Sequence, residues 1–514
     1  MSADPIPRRR HGRALLVAAV AFAMLAAATP ASAQKFRFRG MGWGHGIGLS
    51  QYGALGLAQR GWSAERILRW YYSGAKVVKR EPPKPAVRVG LLQNRKSISI
   101  SVTKGTAELR LQSGAVIETV GKGTTRTITV TPGETYVVKK GDGQQVGGVW
   151  GGPADAIEVA ISGVVHVKEW GHGAGRGRLA FPTAGASNGH LTAILGAEEY
   201  LYGLGEVPSS WPKATLEAQA IAGRTYLYRT VTAGRSGCAC DILGDTRDQA
   251  YVGWDKESGT DGNRWVAAVD RTPRGVAVYK GDLITTYYSS SSGGYTENIE
   301  NVWTSAAPAP YLRGRCDPGD YVSSNPNRFW SAAFTAQALA SKLGNPDGMT
   351  RATKLQVLDR GVSGRVVRLT IHGKRGDGSA TSVTMDGWDL RGTLGLKETR
   401  FWVNQNRNVV GAIRARYDHI ICRPGLATSN QKKLRGGRWQ KFQRGRMYLA
   451  PAGGQARWLK GPVLKRYLQL KGPKGKLGWP TSDTKRLKGK RLRASFQRGV
   501  ITCTRNARCY VRRH

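Results

Sequence analysis

The chain has 514 residues, which is enough for two to four domains that each bury a core. Its 79 Lys and Arg exceed its 34 Asp and Glu, and the formal net charge of +45 predicts an anionic partner or surface. The sequence contains no C-x-x-C pair, which argues against a zinc ribbon.

Residues 1–33 have the pattern of a secretory signal. Four arginines precede an apolar run at 14–28, and an A-x-A cleavage pattern follows at 31–33. The run is shorter than the roughly 20 residues that span a bilayer, so we favour cleavage over a retained anchor. An exported chain meets cell-wall polymers or lipid headgroups, so we expect a secreted, cell-wall-associated protein and no nucleic-acid partner.

The next segment, 34–81, opens with the glycine-rich stretch "MGWGHGIGLSQYGA" at 41–54. His45 has no second metal ligand nearby, and the stretch lacks the pattern of a phosphate-binding loop. A short helix is predicted at 63–72, because Ile67, Leu68 and Tyr71 fall on one face.

Residues 82–187 are predicted to form a β-rich inserted unit. The stretches "SISISV" and "TRTITVTPGETYVV" alternate polar and apolar residues, with glycine-rich turns between them. This pattern is typical of a small antiparallel sheet. The sequence does not indicate whether this unit binds a ligand.

Residues 188–405 mix helical and strand patterns. A helix is predicted at 213–230, a turn at 280–282 between two strands, a second helix at 330–343, and a hairpin from "GRVVRLTIHG" and "ATSVTMDG". Glu206 precedes the first of these helices, between Gly205 and Pro208 and near aromatic residues. Poor solvation there would raise its pKa toward that of a general acid, but the residues alone favour an ordinary loop glutamate.

The C-terminal region, 430–514, is repetitive and strongly basic. The tetrapeptide FQRG occurs at 442–445 and again at 496–499, and repeats of this period are typical of binding arrays. Residues 431–514 contain 25 Lys or Arg and one acid, Asp483. The charge indicates either contact with anionic wall polymers or a solubilising surface.

The six cysteines allow 15 complete pairings. Cys503 and Cys509 are close enough in sequence to close a local loop. For Cys238 and Cys240 a disulfide is expected, with Cys316 as the suggested partner.

Several ordered motifs resemble the SpoIID/LytB family of bacterial cell-wall proteins, known from sporulation and as amidase enhancers. They extend over about 200 residues and are "YLYGLGEVPSSWPKATLEAQAIAGRTY", "DTRDQAYVGW", "AVDRTPRGVAVYKG", "YYSSSSGGYTENIENVW" and "LRGTLGLKETRFWV". The resemblance implies an α+β core with lytic transglycosylase activity on peptidoglycan strands stripped of stem peptides. It also implies that Glu206, in the G-E-x-P turn, is the catalytic acid and base.

The same resemblance implies a set of substrate-binding residues around Glu206. For Arg224, a structural role that ties its helix to a loop is an equal alternative, and the serine run can instead be a simple turn. Glu297 and Glu300 are available as a second carboxylate, which a hydrolase would require. The expected substrate-binding residues are Arg224, His45, Gln51, Tyr226, Ser291, Ser292, Tyr295 and Glu297.

No cofactor or metal is expected. Some members of the resembled family are reported to hold zinc through a His and two Cys near "DTxxCQ", but Asp248 stands at that cysteine's position in this chain. One soft ligand is therefore missing.

The order of the motifs suggests a permuted core. In most SpoIID-like proteins the glycine-rich loop follows the final strand of the core, whereas here it lies at 41–54. We therefore predict that residues 42–52 fold against the 191–403 core, which would bring His45 and Gln51 to the Glu206 cleft.

Residues 439–484 resemble the LGFP repeat of actinobacterial wall-associated proteins, with Trp479 in place of Phe. Two functions follow from these resemblances. One is a transglycosylase held to the wall by its basic tail, and the other is a non-catalytic wall protein that enhances an N-acetylmuramoyl-L-alanine amidase. The expected partners are peptidoglycan strands, anionic wall polymers and, in the second case, the amidase.

Overall fold

The computed structural model describes residues 34–235, 237–405, 408–420 and 422–514. Within these ranges there are ten α-helices and twenty-nine β-strands in several sheets, which confirms the predicted α+β class. The predicted signal at 1–33 lies outside the described residues. None of the helices in the described ranges is long and apolar enough to span a bilayer.

The segment at 34–81 supplies three strands and two helices to the core. The helix predicted at 63–72 is confirmed as 64–71, with the Ser63 side chain capping its first turn and Ile67, Leu68 and Tyr71 buried. The elements are β1 (Lys35–Gly40), β2 (Leu49–Ser50), α1 (Gln51–Ala58), α2 (Ala64–Tyr71) and β3 (Lys76–Lys79).

The β-rich unit is built as the alternating pattern predicts. Every second residue of the strands at 97–102 and 125–131 is buried, because alternate side chains point to one face of a sheet. Its strands are β4 (Val87–Arg95), β5 (Ser97–Leu111), β6 (Val116–Gly121), β7 (Thr125–Thr131), β8 (Thr135–Lys140), β9 (Ile157–Val167), β10 (His172–Ala174), β11 (Arg178–Phe181) and β12 (Gly189–Leu195).

A long buried helix, 213–233, lies at the centre of the following region, and the helix predicted at 213–230 is confirmed. Pro212 precedes its first turn, where a missing N–H group has no effect. The elements here are α3 (Ala197–Tyr202), α4 (Lys213–Ala233), β13 (Ile242–Leu243), α5 (Trp254–Ser258), α6 (Gly262–Asp270), β14 (Gly275–Tyr279), β15 (Asp282–Leu283) and β16 (Tyr288–Ser289). The predicted turn joins β14 to β15.

The ten-stranded sheet extends beyond the boundary expected at residue 187. Strand β12 pairs with β4, and the short β13, which follows α4, pairs in parallel with β4. The buried side chains of the sheet and those of α3, α4 and α6 form one hydrophobic cluster. The inserted unit and the helical region therefore share a core.

The region at 330–403 contains a strand where a helix was expected. The prediction of one helix over 330–343 is wrong for its first six residues, because these pair with β1, about 300 positions earlier. The predicted hairpin is confirmed as β19 and β20. The elements are β17 (Trp330–Thr335), α7 (Ala336–Lys342), β18 (Met349–Arg360), β19 (Val366–Arg375), β20 (Ala380–Asp386), α8 (Gly387–Leu394) and β21 (Phe401–Val403).

The glycine-rich loop folds against this core, as predicted for residues 42–52. Strand β1 lies between β17 and β21, and β2 pairs in parallel with β16. Gly46 has φ +68°, and a Cβ there would lie 1.9 Å from the Arg365 guanidinium. Only glycine permits both this conformation and this close approach.

The C-terminal region forms two four-stranded sheets around a helix. Its elements are α9 (Gly411–His419), β22 (Lys432–Leu434), β23 (Gly437–Phe442), β24 (Gly445–Leu449), β25 (Arg457–Leu459), α10 (Gly461–Gln469), β26 (Lys485–Arg486), β27 (Leu492–Phe496), β28 (Gly499–Cys503) and β29 (Cys509–Arg512). The side-chain oxygen of Gln443 accepts from the Leu426 N–H, and that of Gln497 accepts from the Trp479 N–H. The two FQRG motifs thus have the same structural role.

Three disulfides are present among the described residues. The local Cys503–Cys509 pair is as expected, but the suggested pairing of Cys238 or Cys240 with Cys316 is wrong, because Cys238 and Cys240 pair with each other. Cys316 pairs instead with Cys422. This third disulfide connects the core to the residues directly before the first repeat.

Candidate active site

A cleft of about 770 Å³ opens where the glycine-rich loop meets the core. The start of α1, the turn between α3 and α4, the strand β16 and the helix α8 all border it. Its lining is mainly aromatic and polar, which is usual for a site that binds a neutral or weakly charged ligand. The lining residues are Trp43, Gly44, His45, Gln51, Glu206, Tyr226, Thr246, Arg247, Asp248, Tyr287, Tyr288, Ser289, Ser290, Trp303, Trp388 and Arg391.

Glu206 lies in the turn between α3 and α4, and its carboxyl group faces this cleft. One carboxyl oxygen accepts a hydrogen bond from the Ala250 backbone N–H at 2.7 Å, and the other accepts from Gln51 Nε2 at 3.2 Å. The Tyr288 hydroxyl is a third donor. Burial raises the pKa of Glu206 above its usual range, although these hydrogen bonds and the charge of Lys256 oppose the shift.

The surrounding backbone holds the Glu206 turn in place. The Gly205 N–H donates to Ala250 O at 2.7 Å, and the Lys256 ammonium group donates to the Val207 carbonyl. Burial lowers the pKa of Lys256 to about 8. The turn is therefore attached on both sides of Glu206, so the carboxyl group has a defined position.

Gln51 reaches Glu206 because it is the first residue of α1. Ser50 caps this helix by accepting from the Gly53 N–H, and the Ser50 hydroxyl donates to Asp320 at 2.9 Å. The N-terminus of α1 is thereby attached to the buried 317–320 segment. The predicted approach of Gln51 to Glu206 is confirmed as a direct hydrogen bond.

His45 also lines the cleft, in contact with Trp303 and Tyr287. Its Nδ1 accepts from the Ile47 backbone N–H at 3.0 Å. Burial lowers the pKa of the imidazole to about 3, so the ring is neutral at physiological pH. The ring also makes a hydrogen bond with the Tyr288 backbone, so its nitrogens are engaged by the protein and His45 presents an uncharged aromatic ring to the cleft.

Tyr226 lines the cleft as predicted and donates its hydroxyl to Asp248 at 3.0 Å. Asp248 is the second carboxylate among the described lining residues. Its other oxygen accepts from the Leu243 N–H and from Arg235. Asp248 is therefore held in an ion pair with Arg235, whereas the groups that donate to Glu206 are neutral and the pKa of Glu206 is raised.

Arg224 was expected at the cleft but lies outside it. The guanidinium is fully buried and forms a bidentate pair with Glu198 at 2.8 and 2.6 Å. It also donates to the Gly275 carbonyl. Arg224 connects α4 to its neighbours, and a ligand in the cleft cannot reach it.

Two of the expected serines are also buried away from the cleft. Ser291 donates to Asp320, and Ser292 donates to Asp317 at 2.7 Å. The neighbouring residues Ser289 and Ser290 line the cleft instead. The serine run therefore contributes to the cleft two positions earlier than predicted.

Tyr295 and Glu297 do not line the cleft either. Tyr295 packs beside the Cys316–Cys422 disulfide, and Glu297 is fully buried and accepts from the backbone N–H groups of Val362 and Ser363. Glu300, the other possible second carboxylate, pairs with Arg313. Neither glutamate is placed to act with Glu206.

Sequence reasoning missed several cleft residues. Tyr288 accepts a hydrogen bond from Gln249 at 2.7 Å, and α8 contributes Trp388 and Arg391. These three cleft residues lie within or beside the motifs that carry the family resemblance. However, the direction of the Tyr288 side chain depends on the pairing of β16 with β2, and those of Trp388 and Arg391 on the position of α8, neither of which the sequence reveals.

The side chains near Asp248 do not form a set of ligands that could hold a zinc ion. Cys238 and Cys240 are joined in a disulfide, so neither is a free thiolate. The Asp248 carboxylate is occupied by protein donors. In the described part of the chain, no three His, Cys, Asp or Glu residues cluster in a metal-binding arrangement.

Comparison with known proteins identifies two matching family models and several relatives. Residues 187–279 match the SpoIID family (Stage II sporulation protein), and residues 425–475 match the LGFP repeat. The first match includes Glu206, Tyr226, Asp248 and the whole of α4. The second includes the first FQRG motif.

The amidase enhancer of Bacillus subtilis is 36% identical over 138 residues, which is 27% of this chain and 17% of that relative. The Stage II sporulation protein D of Bacillus subtilis is 29% identical over 237 residues, or 44% of this chain and 65% of the relative. An uncharacterized protein of Brachyspira hyodysenteriae is 35% identical over 155 residues, which is 29% of this chain and 39% of that relative. The chain thus spans less than two thirds of the length of each of these relatives. Residues 187–279 and 425–475 thus match the SpoIID family and the LGFP repeat, as the sequence resemblances predicted.

Proposed function

We propose that this protein is an exported lytic transglycosylase that cleaves the MurNAc–GlcNAc bond of peptidoglycan strands lacking stem peptides. A cell-wall role is supported by the SpoIID and LGFP matches and by the names of the relatives. The observation that carries the proposal is the buried Glu206 carboxyl group, which faces a cleft whose other described carboxylate, Asp248, is ion-paired with Arg235.

The chemistry requires a single group that is first an acid and then a base. Protonated Glu206 donates its proton to the glycosidic oxygen as the bond from MurNAc C1 breaks, which releases GlcNAc with a free hydroxyl. The resulting carboxylate then takes the proton from the C6 hydroxyl of MurNAc while that oxygen bonds to C1. The product is a 1,6-anhydro end, Glu206 is again protonated, and no water is consumed.

The environment of Glu206 suits both steps. Burial favours the protonated form before bond cleavage. After proton transfer, the donors Gln51, Tyr288 and the Ala250 N–H stabilise the carboxylate. A hydrolase would need a second free carboxylate about 5 to 9.5 Å from the first to act as nucleophile or to activate water.

The basic C-terminal repeats would hold the enzyme to the wall. A concave surface of about 1060 Å³ on the second repeat presents four cations to solvent, and none of the described residues that line it is acidic. Its polar and charged lining residues include Lys488, Arg491, Arg505, Arg508 and Tyr510. Phosphate-bearing wall polymers have the matching charge.

The second candidate is a wall-binding protein that enhances an amidase. The similarity to the amidase enhancer of Bacillus subtilis favours it. In that case the cleft would bind glycan without cleaving it, and an N-acetylmuramoyl-L-alanine amidase would be the partner. The two candidates differ in one observable respect, namely the release of new glycan ends.

The deciding experiment is incubation of the purified protein with peptide-free glycan strands, followed by mass spectrometry of the soluble products. The transglycosylase proposal predicts fragments that end in 1,6-anhydro-MurNAc. Fragments with reducing MurNAc ends would contradict it. If no fragments appear but an added amidase works faster, the enhancer candidate is supported instead.

A further inference from the structure

One cation in the cleft, Arg391, has no hydrogen-bond partner among the described residues for its terminal nitrogens. Arg391 lies on α8, and its Nε donates to the Lys397 carbonyl at 3.2 Å. Its guanidinium lies 4.6 Å from the centre of the Trp388 ring. Within the described ranges, no acceptor or carboxylate bonds to Nη1 or Nη2 of Arg391.

The other described charges that line the cleft are neutralised or bonded. Arg247 forms a pair with Asp245, and Asp248 is engaged by Arg235. Glu206 is surrounded by neutral donors. Arg391, by contrast, is half-buried, and burial lowers its pKa because water solvates it poorly. An anionic group on the ligand would compensate for this lost solvation.

The geometry of Arg391 favours a planar anion. Contact with Lys397 and Trp388 fixes the plane of the guanidinium, so its remaining pair of N–H groups, on Nη1 and Nη2, is oriented before a ligand arrives. Paired N–H groups of arginine match the two oxygens of a carboxylate. The imidazole of His45, which also lines the cleft, is uncharged and bonded to the protein backbone, so it does not compete for the anion.

We infer that Arg391 binds the lactyl carboxylate of a muramic acid residue and thereby makes the cleft select peptide-free strands. This inference rests on the proposed glycan substrate. A peptidoglycan strand carries neutral hydroxyl and acetamido groups, and its one anion is the lactyl carboxylate at C3 of MurNAc. In a strand that bears stem peptides, this carboxyl group is an uncharged amide. The charge that Arg391 recognises therefore exists only after the peptide has been removed.

The test is a binding measurement that needs no turnover. The full chain with Glu206→Gln is titrated with a peptide-free GlcNAc–MurNAc oligosaccharide and with a GlcNAc oligosaccharide of equal length. We expect the muramic ligand to bind about tenfold more tightly or better, as a charge-assisted bond would provide. Adding Arg391→Gln should abolish this preference and leave affinity for the GlcNAc ligand unchanged.

Two further variants control this result. Arg351→Gln removes the same charge from an exposed position on β18 and should retain the preference. Arg391→Lys keeps the positive charge but lacks the paired N–H groups, so it should retain part of the preference for the muramic ligand. Thermal unfolding of each variant checks that the fold is intact.

The inference would be overturned if Arg391→Gln kept the preference, or if it weakened both ligands equally. It would also be overturned if the methyl ester of the muramic ligand bound as tightly as the free acid. If the preference is present but the wild-type protein releases no glycan fragments, the proposed cleavage fails and the role of Arg391 stands.

Discussion

The cleft and the C-terminal repeats use charge in opposite ways. In the cleft, Glu206 is buried among neutral donors and its pKa is raised. In the repeats, residues 431–514 contain 25 Lys or Arg and a single acid, Asp483, and most of these cations are exposed to solvent. Proton transfer benefits from poor solvation, whereas attachment to a polyanion benefits from many solvated charges. Variants in one region should therefore affect a different measurement from variants in the other.

The largest effect is expected from Glu206→Gln, which keeps the hydrogen-bonding shape but removes the transferable proton. Cleavage of peptide-free strands should fall on the order of 10³-fold, a usual value for loss of a general acid or base. The rate of soluble fragment release measures it. The matched variant Glu65→Gln, on the exposed face of α2, should cleave normally. Equal losses in both variants would contradict the assignment.

The second effect tests the connection between the two regions. The Cys316–Cys422 disulfide closes a 106-residue loop, so replacing both cysteines by serine should reduce the free energy of unfolding by about 4 to 5 kcal/mol. Urea unfolding monitored by tryptophan fluorescence measures the change.

The pair Cys503–Cys509 provides the control, because it closes a loop of only 6 residues. Its replacement should cost about 2 kcal/mol. A larger loss for the short loop than for the long one would contradict this account of how the core and the repeats are joined.

The third effect separates attachment from catalysis. Replacing Lys488, Arg491, Arg505 and Arg508 by glutamine should weaken binding to intact cell walls about tenfold or more at low salt. Cleavage of soluble oligosaccharides should not change. A co-sedimentation assay across a salt series measures the binding.

The matched control removes four exposed lysines from the β-rich unit. These are Lys104, Lys122, Lys139 and Lys168. Their replacement by glutamine changes the net charge equally but should leave wall binding nearly intact. Equal losses in the two quadruple variants would mean that net charge, not the concave surface, governs attachment.

The fourth effect concerns the pH dependence of cleavage. Glu206 must be protonated at the first step, so activity should fall as the pH rises through its pKa. Gln51 donates to the carboxylate and lowers that pKa, so Gln51→Ala should move the alkaline limb upward by roughly half to one pH unit. The exposed Gln59→Ala, at the end of α1, should not move it. A shift of the alkaline limb to lower pH in Gln51→Ala would contradict a hydrogen bond from Gln51 that stabilises the Glu206 carboxylate.

The smallest effect concerns stability near neutral pH. Burial and the charge of Asp317 raise the pKa of Asp320 to about 7. The protonated form is thus favoured by folding, and its stabilising contribution is present at acid pH and lost as the pH rises through 7. The melting temperature should therefore fall by a few degrees between pH 5.5 and 8. Asp320→Asn should reduce this change of the melting temperature with pH. An unchanged pH dependence in the variant would contradict the assignment to Asp320.

How much of the site was predictable depends on what each residue contacts. Glu206, His45, Gln51 and Tyr226 were expected at the cleft and line it, because the motifs and the loop order carry that information. Arg224 belongs to an equally specific motif yet is buried against Glu198. Sequence alone cannot separate a polar side chain that faces a ligand from one that is satisfied by the protein.

The fold was predictable where a pattern is local. The alternation in β5 and β7 and the helical face of α2 are properties of short segments, and both were confirmed. The strand β17 was mistaken for a helix because its pairing partner, β1, is about 300 residues away. Short apolar segments follow their tertiary partners, which a local pattern does not contain.

The central claim is that one carboxyl group, Glu206, cleaves glycan strands without consuming water. Cleavage of peptide-free strands in oxygen-18-labelled water tests it directly, with mass spectrometry of the new MurNAc ends. The account predicts 1,6-anhydro ends that contain no oxygen-18, and no such product from Glu206→Gln. Reducing ends that carry one oxygen-18 atom would establish hydrolysis and contradict it.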